Sequence, residues 1–486
     1  MEIFLPCSEI RACEAFARTS GLSDLKMIKL AATAAANYIK GRYIPSKILV
    51  LCGGGNNGAD GLLLASLLAG QYDVTVYQPL LGSPDSPNAF YRKQATENGV
   101  SFTLAPELNE YQLIVDAYYG IGFHPPLPSD IGELFSKINT SGIPVVALDV
   151  PSGIEADTGI ADKNALKAER TLTFIRIKPG LMVFPGAEFA GEVVLLDTGI
   201  PVPEGISSSY KSLDDLSLYP MRLQNSHKGT FGTLCIYAGT YGMAGAAYLC
   251  ALAAYRTGVG LVKIITAEEN RIILQTMLPE AVLVCYDQNN PDYKKIAMAV
   301  SSCDALVAGP GIGIGQAQSA MLTMLFSVFD GKPMILDADA LNTVANFEMN
   351  FPPNSIVTPH PKEFSRISKK DITQILESPL LAAQNFAKNH NVITLLKGAR
   401  TVISAPSEEV VINLKGNNGM ATAGSGDVLS GIIGALLALS LTCFDAACLG
   451  AFIHGKAGDK AAEKIGKPSL MASDIANAIS EVLRKI

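Results

Sequence analysis

Short apolar runs closed by turn residues alternate along this chain with longer stretches of helical periodicity. In the first half the runs are 47–52 (KILVLC), 73–78 (DVTVYQ), 112–116 (QLIVD), 144–149 (PVVALD) and 192–197 (EVVLLD), with helical stretches such as 9–40 and 59–70 between them. Strands that alternate with helices predict a parallel, doubly wound sheet. The stretch 201–217, PVPEGISSSYKSLDDLS, is rich in Pro, Ser and Gly and loses the periodicity, so it reads as a linker. The alternation restarts at 233–238 (TLCIYA), 261–265 (LVKII), 304–308 (DALVA), 333–337 (PMILD), 355–358 (SIVT), 392–396 (VITLL) and 401–403 (TVI). No repeat of solenoid period is visible.

Composition narrows this picture. A chain of 486 residues exceeds one ordinary core. A hydrophobic fraction of 48% fits a compact α/β protein rather than a disordered one. The net charge is −7 with no Lys/Arg block, which argues against a nucleic-acid partner. Nine scattered cysteines and five dispersed histidines give neither zinc spacing nor a disulfide framework, so a reducing cytoplasm is expected. The start, MEIFLPCSEIRACE, lacks the regions of a signal peptide. Residues 428–444 carry no charge and approach the length of a membrane span. Acidic flanks, Asp427 and Asp445, and the lack of basic anchors make a buried core helix the better reading, with no membrane partner.

The densest chemistry lies at 416–434, GNNGMATAGSGDVLSGIIG, a glycine-rich loop that meets Asp427 and runs into an apolar helix. Backbone N–H groups at a helix N-terminus attract an anion. A carboxylate beside that anion needs a task, such as taking a proton from an attacking hydroxyl. The tetrad GSGD therefore reads as phosphoryl transfer onto an alcohol, or more plainly as a helix with Asp in its first turn.

The first half carries GGGNNGADG at 53–61, after a strand and opening a helix. Gly53, Gly55 and Gly58 match G-x-G-x-x-G, but the next strand ends Tyr77-Gln78-Pro79, without the acid that a ribose hydroxyl requires. An ordinary dehydrogenase is disfavoured. Asn56, Asn57 and Asp60 can hold a phosphate and a hard cation, or cap the helix. Asp116 and Asp149 close two strands, and with Asn57 and Ser152 they converge on the crevice beyond the strands' carboxyl ends.

On these residues the first half resembles the epimerase domain of the NAD(P)H-hydrate repair proteins, through GGGNNGADG, DAYYGIGF, ALDVPSGIEADTG, TLTFIRIKPGL and GEVVLLDTGIP. The second half resembles the nucleotide-dependent NAD(P)H-hydrate dehydratases, relatives of the ribokinase-like kinases. It carries KGTFGTL, GTYGMAGAA, AGPGIG, LDADALN, VTPHPKEF, LLKGART and NNGMATAGSGDVLSG in the family's order. Three positions depart from the family pattern. Ala59 replaces a usual glycine, Gly120-Ile121-Gly122 replaces GTG, and MIKLAATAAANY lacks the common Ala-Gly.

The resemblance implies an N-terminal doubly wound Rossmann-like epimerase domain over 1–210 and a C-terminal ribokinase-like α/β dehydratase domain over 222–486. In the first, Asn56, Asn57, Gly58, Ala59 and Asp60 contact the hydrated dinucleotide, together with Gly120, Ile121, Gly122, Phe123, His124, Pro125 and Pro126. Asn57, Asp116 and Ser152 bind a potassium ion, since oxygen-only donors suit an alkali cation. Asp149 contacts the substrate and carries the acid/base work. In the second domain Ala246, Gly311, His360 and Asp427 surround the hydrated nicotinamide. Lys397, Gly398, Ala399, Arg400, Thr401 and Gly426 hold the nucleotide. His360 sits in a Pro-His-Pro turn, where a core role is awkward.

The implied reaction has Asp427 take the proton of the ring hydroxyl as it attacks the terminal phosphate of ADP or ATP, with Mg²⁺ sharing the charge. Loss of the phosphate ester regenerates NADH or NADPH. The first domain interconverts the R and S hydrates, so the fused chain repairs both. A homo-oligomer is expected. A kinase for a small alcohol or vitamin precursor with a dinucleotide-sensing first half, and a first half that only binds, are the alternatives.

Overall fold

A computed structural model describes residues 1–353 and 355–485. The chain forms two compact units, Ile3–Tyr210 and Lys211–Ile486, the second including Met1–Glu2. The border falls within the Pro/Ser/Gly-rich stretch 201–217.

The first unit holds a seven-stranded parallel sheet in the order Ser101–Thr103, Asp73–Tyr77, Lys47–Cys52, Leu113–Ala117, Val145–Leu148, Arg170–Thr173, Glu192–Leu195. The order reverses between Lys47–Cys52 and Leu113–Ala117. That reversal opens a crevice at the strands' carboxyl ends. Ile48, Val50 and Cys52 face a core shared with helices Asp24–Arg42 and Asn56–Leu68. Leu49 and Leu51 face the other side, where Phe135 and Ile138 of helix Ser129–Thr140 pack. Both faces are covered, so the strand reads as an unbroken apolar run.

Some expectations need correction. The helical stretch 9–40 is two helices, Cys7–Thr19 and Asp24–Arg42, and the hydroxyl of Ser23 caps the second by accepting from Lys26 N at 3.4 Å. The helix expected from 59 starts at Asn56, so Asn56, Asn57 and Asp60 lie on its first turns rather than in the loop. Strands Ser101–Thr103, Arg170–Thr173, Val282–Tyr286 and Val410–Asn413 are additional to those read from the sequence.

In the second unit the strands run Val410–Asn413, Thr401–Ser404, Ile393–Leu396, Ser355–Val357, Met334–Leu336, Ala305–Ala308, Thr233–Tyr237, Leu261–Ala267, Val282–Tyr286. Those from Ile393–Leu396 to Val282–Tyr286 pair in parallel, and the first two join as an antiparallel extension. Helix Ser425–Ala438 is buried almost throughout and packs on helix Ala244–Thr257. A Cβ at Gly431 would lie 2.1 Å from the Cys250 carbonyl oxygen, so only glycine allows the two helices this approach. The charge-free run 428–444 ends this helix and, after a break, opens helix Cys443–Ile465. Among the described residues no helix is long and apolar enough to cross a membrane.

Candidate functional site

The crevice of the first unit contains a cavity of about 400 Å³. Its walls come from the loop Gly53–Gly55, the start of helix Asn56–Leu68, the segment Tyr118–Phe123, helix Cys7–Thr19 and the Asp149 turn. Asp149 follows strand Val145–Leu148 with φ of 67°, a left-handed conformation rare outside glycine, and its N–H donates to Leu172 O at 2.7 Å. Its Oδ1 accepts from the ammonium of Lys178, which is 1% exposed. That ammonium also donates to Thr173 Oγ1 at 2.9 Å and Phe174 O at 3.1 Å. All three of its N–H groups are thereby used, and it acts as a fixed positive charge. Asp60 lines the same cavity, and its Oδ1 is buried without a hydrogen-bond partner.

Behind the cavity wall lies a second polar cluster. Asp116 is fully buried and accepts from Tyr118 N at 3.1 Å, Ser152 N at 2.7 Å and Ser152 Oγ at 2.6 Å. No cationic side chain pairs with it among the described residues, and burial pushes its carboxyl up to about 6 despite those three donors. The Asn57 amide donates to Tyr119 O at 2.7 Å and Leu148 O at 3.2 Å, while its own Oδ1 is buried and unpartnered. A buried amide oxygen with no donor and a buried carboxylate with no ion pair are both costly to leave so. Among the described residues no group of three His, Cys, Asp or Glu could hold a metal.

In the second unit the chemistry gathers at the head of helix Ser425–Ala438. Gly424 precedes it with φ of 86°, and no side chain caps it. The N–H groups of Gly426 and Asp427 are thus left for a ligand. Burial, with Asp337 and Asp339 adding and Lys397 opposing, pushes the Asp427 carboxyl up to about 7. Asp337 is buried and accepts from Lys397 Nζ at 2.9 Å and Ser430 Oγ at 2.8 Å. Lys397 lies 3.8 Å from Glu363 as well. The bare Gly426 leaves room for that ammonium, which would sit 3.4 Å from a Cβ there. Ser425 Oγ and His454 Nε2 are 3.2 Å apart, and burial pushes His454 down to about 4, so it is neutral.

The comparisons with known proteins follow this division. Residues 24–180 match the family described as YjeF-related protein N-terminus, and residues 234–481 match NAD(P)H-hydrate dehydratase. The bifunctional NAD(P)H-hydrate repair enzyme of Escherichia coli is 34% identical over 476 residues, 95% of this chain and 90% of the relative. That of Coxiella burnetii is 33% identical over 98% of both chains. The chain belongs to the bifunctional NAD(P)H-hydrate repair enzymes. A solved structure of the ADP/ATP-dependent NAD(P)H-hydrate dehydratase of Bacillus subtilis, co-crystallized with ATP/Mg2+, matches with a TM-score of 0.50 and 29% identity. It covers 55% of this chain and 94% of its own.

Within this repair enzyme the cavity gathers Asn56, Asn57, Asp60, Gly120, Ile121, Gly122, Phe123 and Asp149. Gly58 and Ala59 turn inward instead, and a Cβ at Gly58 would meet Gly53 O at 1.9 Å. His124, Pro125 and Pro126 do not line the cavity, and His124 is exposed and pairs with Glu155 at 2.6 Å. In the second unit Gly311 packs on Ala246, whose Cβ would lie 3.2 Å from one added to the glycine. His360 has a structural task that the sequence reading missed. It caps helix Pro361–Ser368, its Nδ1 accepting from Lys362 N at 3.1 Å and Glu363 N at 3.3 Å. Nδ1 therefore carries no proton, and Nε2, which does, lies 3.4 Å from Glu363 Oε1. Gly398 and Ala399 are exposed in the hairpin after Lys397, Arg400 donates to Leu414 O at 2.8 Å, and Thr401 opens the next strand. Lys178, Asp337, Glu363 and Ser430 were given no role from sequence, although all but Asp337 stand one to three residues from a turn proline or an acid already singled out.

Proposed function

We propose that this repair enzyme restores hydrated NADH and NADPH in two steps carried by its two units. The unit Ile3–Tyr210 interconverts the R and S hydrates. The unit Lys211–Ile486 dehydrates the S form with ADP, or ATP, giving AMP, or ADP, and phosphate. The observation that carries the reading is Asp427, a carboxyl poised near neutrality at the uncapped head of a buried helix, beside the Lys397 ammonium. Asp427 takes the proton of the ring hydroxyl, whose oxygen attacks the terminal phosphorus as the bond to the nucleotide's bridging oxygen breaks. The N–H groups of Gly426 and Asp427 and the charge of Lys397 hold the transferring phosphoryl group. Phosphate then leaves the ring with the carbon–oxygen electron pair, a proton leaves the adjacent carbon, and the double bond of the reduced nicotinamide returns. Lys397 to Thr401 and Gly426 hold the nucleotide, with His360, Ala246 and Gly311 around the ring. Magnesium, when bound, shares the phosphates' charge. The nine free cysteines fit a reducing cytoplasm. Feeding hydrated NADH with ADP or ATP tests the reading: absorbance of reduced nicotinamide returns, and a stable phosphorylated product in its place would overturn it.

In the first unit Asn57, Asp116 and Ser152 hold a potassium ion in this reading. Without it, the raised Asp116 carboxyl gives stability that is fully present below the ordinary value of 3.8 and is lost as pH rises through about 6. Potassium competes with that proton. Potassium chloride is therefore expected to raise the melting temperature more at about pH 7.5 than at about pH 5, with a stabilisation of up to roughly 2.7 kcal/mol at a hundredfold excess over Kd. Asp116→Asn should flatten this pH difference and impair epimerisation. Equal shifts in the variant and the native chain would remove Asp116 from the cation site.

A further inference from the structure

We infer that Asp60 is the general acid of the epimerisation, giving a proton to the departing hydroxyl while Asp149 takes one from water arriving on the opposite face. The inference rests on the epimerase reading above and adds a second catalytic carboxyl to it. Helical spacing places Asn56, Asn57 and Asp60 on one face of helix Asn56–Leu68, turned to the cavity that Asp149 also lines. Asp60 has no ion pair among the described residues, and its Oδ1 is sealed from solvent without a partner. An ionised carboxylate does not stay in such a place, whereas a protonated carboxyl does. The groups that face it are the carboxylates of Asp149 and Glu14, the thiol of Cys52 and the phenol of Tyr91, and Lys178 is spent on Asp149. Burial, then Asp149 and Glu14, push Asp60 well above the usual carboxylate range. Asp149 has the opposite surroundings, an ammonium fixed on one oxygen, with its Oδ2 left for the substrate. Two carboxyls in one cavity, one buried without a partner and one paired with an ammonium, divide into an acid and a base.

The chemistry balances with water as the only other reactant. An enamine adds its proton at the β carbon and its hydroxyl beside the nitrogen, so the hydrate's oxygen sits on the carbon next to the ring nitrogen. That carbon–oxygen bond breaks, the pair stays on oxygen, and the Asp60 proton joins it, so water leaves. The nitrogen lone pair forms a carbon–nitrogen double bond, and the ring becomes a cationic iminium. A water on the other face forms the new carbon–oxygen bond, the double-bond pair returns to nitrogen, and Asp149 takes the released proton. One proton has passed from Asp60 to Asp149, and the reverse inversion or exchange with solvent returns it.

The test follows conversion of the purified R hydrate by the full chain in ¹⁸O-labelled water, across pH. The native chain should incorporate one labelled oxygen per inversion, with a rate that falls at alkaline pH as Asp60 loses its proton. Asp60→Asn should slow inversion by roughly two to four orders of magnitude and abolish the alkaline limb. Asp60→Glu should recover part of the rate with a shifted limb. Thermal melting checks both variants, and where Asp60→Asn does not fold, the glutamate variant decides: an unshifted limb overturns the inference. A native rate and limb in folded Asp60→Asn, or inversion without label, also overturns it. A native chain that inverts neither hydrate overturns the epimerase reading itself.

Discussion

Asp427→Asn abolishes most dehydration, by roughly two to four orders of magnitude, while nucleotide binding persists. The side chain keeps its size and its place at the head of helix Ser425–Ala438, and only the base is lost. In the native chain the rate should rise with pH through about 7, where Asp427 becomes ionised, and then level off. The stability change runs the other way. A carboxyl raised by burial favours the fold while protonated and loses that contribution as pH rises through its folded value. Above about pH 7 the amide variant should therefore melt at or above the native temperature. A stabilised, nucleotide-binding, inactive protein is the joint signature, and turnover at the native rate would overturn Asp427 as the base.

Asp149→Asn leaves a mixture of hydrates half repaired. Given nucleotide, the variant should clear the S fraction quickly and then slow to the pace of spontaneous epimerisation, with enzymatic inversion down by roughly two to four orders of magnitude. Asparagine is the informative replacement because it tolerates the left-handed backbone at φ 67° and still accepts from Lys178. Alanine would strain that turn and strand a buried ammonium, a loss of about 3–5 kcal/mol that would confuse folding with chemistry. Clearance of both hydrates at the native rate by the folded asparagine variant would take Asp149 off the list of catalytic groups.

What was legible in the sequence is what is local. Asp116 and Asp149 announce themselves because each ends an apolar run and meets a glycine or proline turn. Lys178 does not, since it reaches Asp149 across 29 positions only because strand Arg170–Thr173 lies beside Val145–Leu148. That strand itself was hidden by its threonines: Thr171 is fully buried, but its hydroxyl donates to Ala190 O at 2.6 Å, a satisfaction invisible before folding. Val282–Tyr286 escaped notice as an edge strand with little alternation in burial. His360 looked like a ligand because histidine is an uncommon helix cap, and the reciprocal bond from its own N–H to Glu363 at 2.8 Å supplied the missing reason. The resemblance carried the catalytic assignments further than spacing could, but it gave Asp60 only a contact with the dinucleotide, to which its buried, unpartnered Oδ1 now adds.

Laboratory programmes that raise heat tolerance often begin by replacing helical glycines with alanine, which narrows the unfolded ensemble by about 0.4–1 kcal/mol where the native backbone accepts it. In this enzyme Gly431 inverts that strategy. Its missing methyl group is the space through which helix Ser425–Ala438 touches the Cys250 carbonyl, 2.1 Å from where the carbon would stand. Alanine there would lever the helix away from its neighbour and shift Asp427, one turn earlier, off its aim. Gly41, in helix Asp24–Arg42 with nothing within 4 Å of a methyl group, is the safer place to begin. The close approach that fixes the head of this helix thus shuts it to a common route of thermal adaptation.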